Sequence, residues 1–218
     1  MPEFHLTVPR TARYQQLGEL SAGTRHVWLV CHGYGQLAAY FIRHFAALAE
    51  RPDTVVIAPE GLSRFYLQGT SGRVGASWMT RDDRLAEIDD HCAFLNQLTE
   101  QSLSRCAPDV QLTVLGFSQG TATVSRWLAR AAGRWPLAQL ILWAGGFPED
   151  IAPAAARQLL TGLPLKLVVG TEDEYISSEK LAEQRQLLEQ LGGRPEVLTF
   201  AGGHTLNAAL LQQISTAR

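Results

Sequence analysis

The chain has 218 residues, 46% of them hydrophobic and 18% charged, with a formal net charge of −2. That length supports one sizeable core rather than two, and the composition excludes a disordered or coiled-coil chain. Basic residues are scattered through a slightly acidic sequence, so no global field draws in nucleic acid or an anionic membrane. The three cysteines, Cys31, Cys92 and Cys106, are odd in number and lack metal-ligand or redox spacing, so neither a disulfide framework nor a metal centre is expected. Cys31 and Cys92 read instead as small buried apolar residues. The opening Met1-Pro2-Glu3-Phe4-His5 has no basic region leading into an apolar one, and no stretch reaches the length of a membrane span. The expectation is a cytoplasmic protein without stable membrane insertion.

Residues 4–8 and 13–17 are short and strand-like, and Pro9-Arg10-Thr11 between them predicts an antiparallel N-terminal hairpin at a sheet edge. Val27-Trp28-Leu29-Val30-Cys31 is a continuous apolar run, as expected for a strand covered on both faces, and it ends at His32-Gly33-Tyr34-Gly35. A helix through Phe41, Phe45 and Leu48 follows, then a buried strand over 54–58 ending at Pro59-Glu60-Gly61. Residues 63–80 are Gly-rich and aromatic without a period and read as a long loop crossing the face of the domain; such loops are usually functional. Thr80-Arg81-Asp82-Asp83 has the form of a capping box with Asp in place of Glu, opening a helix through Leu85, Ile88, Cys92, Leu95 and Leu98. Val110, Leu112, Val114 and Leu115 mark a strand before Gly116-Phe117-Ser118-Gln119-Gly120, and a helix over about 119–132 follows. Beyond it come a strand over 137–144, one short helix over 149–162, a strand over 165–169 and a helix capped near Ser178. A last strand over 197–200 and a helix over 205–214 close the chain. Strands alternating with helices predict a mainly parallel central sheet flanked by helices in a single domain.

Gly116-Phe117-Ser118-Gln119-Gly120 lies between a strand and a helix, the context that a nucleophile elbow requires. The sharp turn crowds the backbone, and glycines flank the serine because they lack a Cβ. In a parallel sheet, ligands bind beyond the carboxyl ends of the strands, so residues just after each strand can meet. Ser118, the acids of Gly170-Thr171-Glu172-Asp173-Glu174-Tyr175, His204 and His32-Gly33 all hold such positions. The order serine, acid, histidine is that of the α/β-hydrolase fold. A serine hydroxyl needs a base to become a nucleophile, and histidine suits that task; His204, after the last strand, is the expected base. His32 competes, but it precedes the serine, where this fold places the oxyanion loop. His5, His26, His44 and His91 read as surface or packing residues. Spacing alone does not separate Glu172, Asp173 and Glu174 as the acid. An oxyanion hole would use the backbone N–H of Gln119 and one from the loop after His32, with Tyr34 the expected second donor.

These residues resemble the carboxylesterase/phospholipase branch of the α/β-hydrolases, the family that includes the acyl-protein thioesterases. The resemblance rests on Gly116 to Gly120 as the family's GFSQG elbow, on His32-Gly33-Tyr34-Gly35 as its HGxG loop, on Gly170 to Asp173 as its acid segment, and on Gly202-Gly203-His204. Gly75-Ala76-Ser77-Trp78 is similar to the family's stretch with a pocket tryptophan. The likeness runs from about residue 27 to 214 and implies the catalytic set Ser118, Asp173 and His204. It also implies hydrolysis of carboxylic esters, thioesters or lysophospholipids without a cofactor or metal.

Trp78, Tyr34, Phe65, Tyr66, Phe147 and Tyr175 are the candidate pocket residues. The sequence departs from the family pattern at Gln36, often aspartate, at Thr121, often glycine, and at Met79-Thr80, often Phe-Asp. The nineteen residues between Ala144 and Pro164 are too few for a large cap domain, which implies an open cleft and small or flexible substrates. The reading is therefore an esterase acting on short or small acyl esters, with no nucleic-acid partner, as a monomer or homodimer. Acyl thioesterase or lysophospholipase activity with the same triad is the alternative. A non-catalytic ligand-binding relative is a further one. A dienelactone-type hydrolase would prefer cysteine where Ser118 stands.

Overall fold

In the computed structural model, residues 1–216 are described. Nine strands are present among them: β1 (Tyr14–Leu17), β2 (His26–Cys31), β3 (Thr54–Pro59), β4 (Ser63–Tyr66), β5 (Val74–Ser77), β6 (Gln111–Phe117), β7 (Leu137–Trp143), β8 (Leu165–Gly170) and β9 (Pro195–Phe200). The helices are α1 (Ala38–Phe41), continued by a 3-10 segment Ile42–Leu48, then α2 (Arg84–Leu103), α3 (Gln119–Arg130), α4 (Pro153–Leu160), α5 (Ser178–Gln190) and α6 (Ala208–Thr216). Seven strands form the central sheet in the order β1-β3-β2-β6-β7-β8-β9. All neighbours run parallel except β1, which is antiparallel to β3. This is the α/β-hydrolase architecture.

Alternation along each strand sends side chains to two separate cores. Val27, Leu29 and Cys31 of β2 face the cluster made with α2, α3, α4 and Leu188 of α5. Trp28 and Val30 face the opposite cluster, with Phe41, Phe45, Leu48 and the α6 residues Leu211 and Ile214. With both faces covered, the central strands are mostly apolar, and β2, β3 and β8 are almost entirely buried, Lys166 of β8 being paired with Glu196.

The antiparallel N-terminal edge is present, but the partner of β1 is β3, in the register Tyr14↔Pro59 to Leu17↔Val56. Residues 4–8 form no strand; Phe4, Leu6 and Val8 are exposed, and the open edge of β3 gives β1 a complete ladder without them. The 63–80 segment is also more ordered than a loop. β4 and β5 pair as an antiparallel hairpin, Ser63↔Ser77 to Tyr66↔Val74. The capping box does not form as read, because α2 begins at Arg84 and Asp83 stands outside it at φ +46 without a side-chain cap. Glu87 takes over, accepting from Thr80 N (2.5 Å) and from Ser63 Oγ (3.1 Å). At α5 the N-cap is Ser177, whose Oγ accepts from Lys180 N at 3.3 Å. Between β7 and β8 the described chain holds α4 and no cap domain. No helix among the described residues is long and apolar enough to cross a membrane.

One buried group in α2 carries a pH consequence. His91 is fully buried against the Trp78 carbonyl (Nδ1 to O, 3.4 Å), and its Nε2 has no partner among the described residues. Burial, reinforced by the nearby Arg126 and Arg130 charges, pushes its pKa down to about 4. Between a free-histidine value near ~6.5 and that value, the unfolded chain binds a proton that the native protein refuses, so stability falls as pH drops through this window. Between pH 7 and pH 4.5 the wild type should lose about 2 kcal/mol more than His91→Leu in urea unfolding. Equal losses for the two proteins would contradict this account.

Candidate active site

β6 ends in a turn too tight for side chains. Ser118 sits there at φ +53, ψ −118, a region a serine adopts only under constraint. A Cβ on Gly116 would collide with the Gly120 carbonyl, and one on Gly120 with the carbonyls of Cys31 and His32. The two glycines are therefore steric requirements of the elbow. The turn is fastened on both sides. Ser118 N donates to Trp143 O (2.9 Å), while Thr121 N (3.0 Å) and Thr121 Oγ1 (2.7 Å) donate to Ser118 O. Thr121 Oγ1 also lies 3.0 Å from Gly146 O, tying the elbow to the loop after β7.

Asp173 and His204 reach the same edge from β8 and β9. The register Gly170↔Phe200 continues past the strand ends through Thr171 N to Phe200 O (2.8 Å) and Glu172 N to Gly202 O (2.9 Å). This extended pairing sets His204 Nδ1 2.9 Å from Asp173 Oδ2. The Asp173 side chain is 0% exposed and that of His204 16%. The other carboxylate oxygen, Oδ1, accepts from Tyr175 N (2.9 Å) and Ile176 N (3.0 Å). Glu172 and Glu174 are exposed, so Asp173 is the one acid of the three at the imidazole. The His204 ring lies 5.0 Å from Phe117 and 4.7 Å from Tyr175, centroid to centroid. The Trp143 indole N–H donates to Thr205 O (2.9 Å) and steadies the loop. Among the described residues no hydrogen bond joins Ser118 Oγ to the imidazole; such contacts often tighten only in the reacting complex.

The loop after β2 passes directly beside Ser118: a Cβ on Gly33 would lie 3.1 Å from Ser118 Cβ. Three of its amides are occupied. Gly33 N donates to Gln36 Oε1 (2.8 Å), Gly35 N to Ala76 O (2.9 Å) and Gln36 N to Gly33 O (3.2 Å). The Tyr34 N–H has no acceptor among the described residues, and neither has the Gln119 N–H at the first position of α3. His32 is excluded as a base by its own bonds. Its Nδ1 meets Gly33 O at 2.7 Å and its Nε2 accepts from Gly61 N at 3.0 Å, which together fix a neutral ring. Burial, the largest influence, lowers its pKa.

Two roles were not legible in the motifs. The Gln119 carboxamide clamps the chain after β5, accepting from Trp78 N (3.1 Å) and donating to Met79 O (2.8 Å). Glu60, almost fully buried, bonds Arg13, lies 3.7 Å from Arg64 and accepts from Ala38 N. Its place after β3, level with the other functional strand ends, was the available signal.

The aromatic candidates divide. Tyr34 (59% exposed), Tyr66 and Tyr175 (60%) are open, and half-buried Phe65 stacks on Tyr34 at 5.1 Å. Trp78 and Phe147 correct the pocket-lining expectation. Each is 2% exposed and packed in the core, Trp78 because its indole N–H donates to His32 O beneath the loop (2.9 Å), Phe147 because its amide is held by Gln184 Oε1 (2.7 Å).

Fold and site together define an α/β-hydrolase with a serine at the elbow. A phospholipase/carboxylesterase family model matches residues 20–217. The chain belongs to that family and is a serine carboxylesterase-type hydrolase. No curated protein matches the chain. Among solved structures, a Zea mays acyl-protein thioesterase 2 is similar at TM-score 0.70 and 19% identity, covering 94% of this chain and 96% of that one. A Mesorhizobium loti carboxylesterase is similar at TM-score 0.68 and 21% identity, with coverage of 94% and 95%. Esterase PE8 gives TM-score 0.68 and 23% identity, with coverage of 94% and 100%.

Gly120→Ala drives a methyl group into the end of β2. We expect a loss of about 3 kcal/mol in stability, measured by urea unfolding; an unchanged midpoint would remove the steric account of the elbow.

Proposed function

We propose that the chain hydrolyses small carboxylic esters through an acyl-enzyme on Ser118, with His204 as base and Asp173 orienting it. The observation that carries this reading is a serine at φ +53 at the end of β6, on the same sheet edge as an imidazole held at 2.9 Å by a buried carboxylate.

His204 Nδ1–H donates to Asp173, which leaves Nε2 as the free lone pair. Nε2 takes the Ser118 proton as Oγ attacks the carbonyl carbon. The oxyanion of the tetrahedral intermediate is received by the N–H groups of Tyr34 and Gln119, the two amides left without acceptors beside the serine. The intermediate collapses as Nε2 returns the proton to the departing alcohol. Water then attacks the acyl-enzyme by the same route, passing its proton to Nε2, and Ser118 leaves with that proton as the acid is released. Asp173, its Oδ1 occupied by two backbone amides, cannot swing away from the ring and stabilises the imidazolium in each half-reaction. Esters and thioesters present the same carbonyl to this arrangement. Small substrates are favoured because α4 is only eight residues long and Tyr34 and Tyr175 stand open at the mouth of the site.

Ser118→Ala should abolish both fluorophosphonate labelling and ester turnover while leaving the unfolding curve in place; retained turnover would overturn the assignment. Asp173→Asn should lower kcat about 10³- to 10⁴-fold by disturbing the imidazole tautomer, seen in steady-state kinetics. Short p-nitrophenyl esters should be cleaved readily, and an enzyme that processed only long-chain lipids would contradict the small-substrate reading.

A further inference from the structure

Beside the oxyanion loop lies a groove of about 510 Å³ that the hydrolytic reading does not use. It begins close to the reacting atoms. Gln36, one of its residues, binds the Gly33 amide, and Phe41, which also lines it, lies 6.0 Å, centroid to centroid, from Phe117, the residue before Ser118. The walls are apolar: Leu37, Tyr40 and Phe41 on one side, Leu67 and Val74 from the β4–β5 hairpin on the other. The hairpin is fixed in place, because Ala76 accepts from Gly35 N and donates to Gln36 O (2.9 and 3.1 Å).

Among the described residues, the one formal charge lining this groove is the Arg73 guanidinium, and beside it Arg43 stacks over the Tyr40 ring at 4.9 Å. Among the described residues no aspartate or glutamate lines it, and position 36 is a neutral carboxamide. Among the described residues neither Arg43 nor Arg73 has a carboxylate partner, whereas Glu60, beneath α1, is already matched by Arg13 and Arg64. Arg73 is exposed, and an unmatched guanidinium beside apolar walls presents a planar fork of donors suited to a carboxylate.

We propose that this groove receives an arm of the ester that ends in a carboxylate, its apolar stem between Tyr40 and Leu67 and its charged end at Arg73. The proposal rests on the ester-hydrolase reading above and names the substrate class within it. Arg73 is then a specificity-determining residue that takes no part in bond breaking.

The test compares the p-nitrophenyl monoester of adipic acid with its neutral terminal amide. A second pair, the acetyl ester of 6-hydroxyhexanoate and its amide, places the charge on the alcohol side. The wild type should favour the anionic member of at least one pair about tenfold in kcat/KM, through KM, and this ratio should decline in 1 M NaCl. Arg73→Gln should bring the ratio near one and Arg73→Glu below it. A wild type that cleaves p-nitrophenyl acetate yet shows no preference in either pair overturns the groove proposal alone, as does a preference untouched by both Arg73 variants. A wild type that cleaves none of these esters overturns the hydrolytic reading and the groove proposal with it.

Discussion

Backbone packed on backbone is the constraint from which the site follows. The elbow can approach the end of β2 only because positions 116 and 120 carry no side chains, with Gly120 set against the Cys31 carbonyl. That approach, in the β2–β6 register Cys31↔Gly116, puts the Gly33–Gln36 loop beside Ser118. The serine's strained backbone costs about 1–3 kcal/mol. It is offset by the hydrogen bonds that grip the Ser118 N–H and carbonyl from β7 and α3.

Around this contact the carboxyl ends of the strands form a layer of buried polar groups, each with its partners. His32 bridges Gly33 and Gly61, Glu60 holds the start of α1, and Gln119 clamps the residues after β5. Unpaired, such groups would each cost a few kcal/mol in a dry interior (roughly 1–3); paired, they specify one arrangement of loops. These bonds tie the loops at this end of the sheet to one another.

Much of this was legible in the residues. β2 and β3 are covered on both faces and so read as nearly unbroken apolar runs, and the elbow and the Gly33–Gln36 loop announce themselves through glycines. What stayed hidden depended on direction in space. Nothing in Glu172-Asp173-Glu174 tells which carboxylate turns inward; the backbone does, by aiming the Tyr175 and Ile176 amides at Asp173 Oδ1. Trp78 resembled a pocket wall in its motif, yet its indole found the His32 carbonyl and sank into the core. The β4–β5 hairpin was obscured because its strands are four residues each around a glycine-rich tip. Likewise, residues 4–8 look strand-like only until β3 supplies β1 with a better partner.

The same hairpin separates what must stay from what can change. Its base is bound to Gly35, Gln36 and the Gln119 carboxamide, so the chemistry holds that end fixed. At its tip, Gly69 and Gly72 have nothing within 4 Å of where a side chain would begin. Insertions or altered lengths there would meet solvent rather than the polar layer at the strand ends. Descendants of this sequence could therefore reshape the groove wall for new esters by drift at the tip, while the hydrolytic step below is inherited intact.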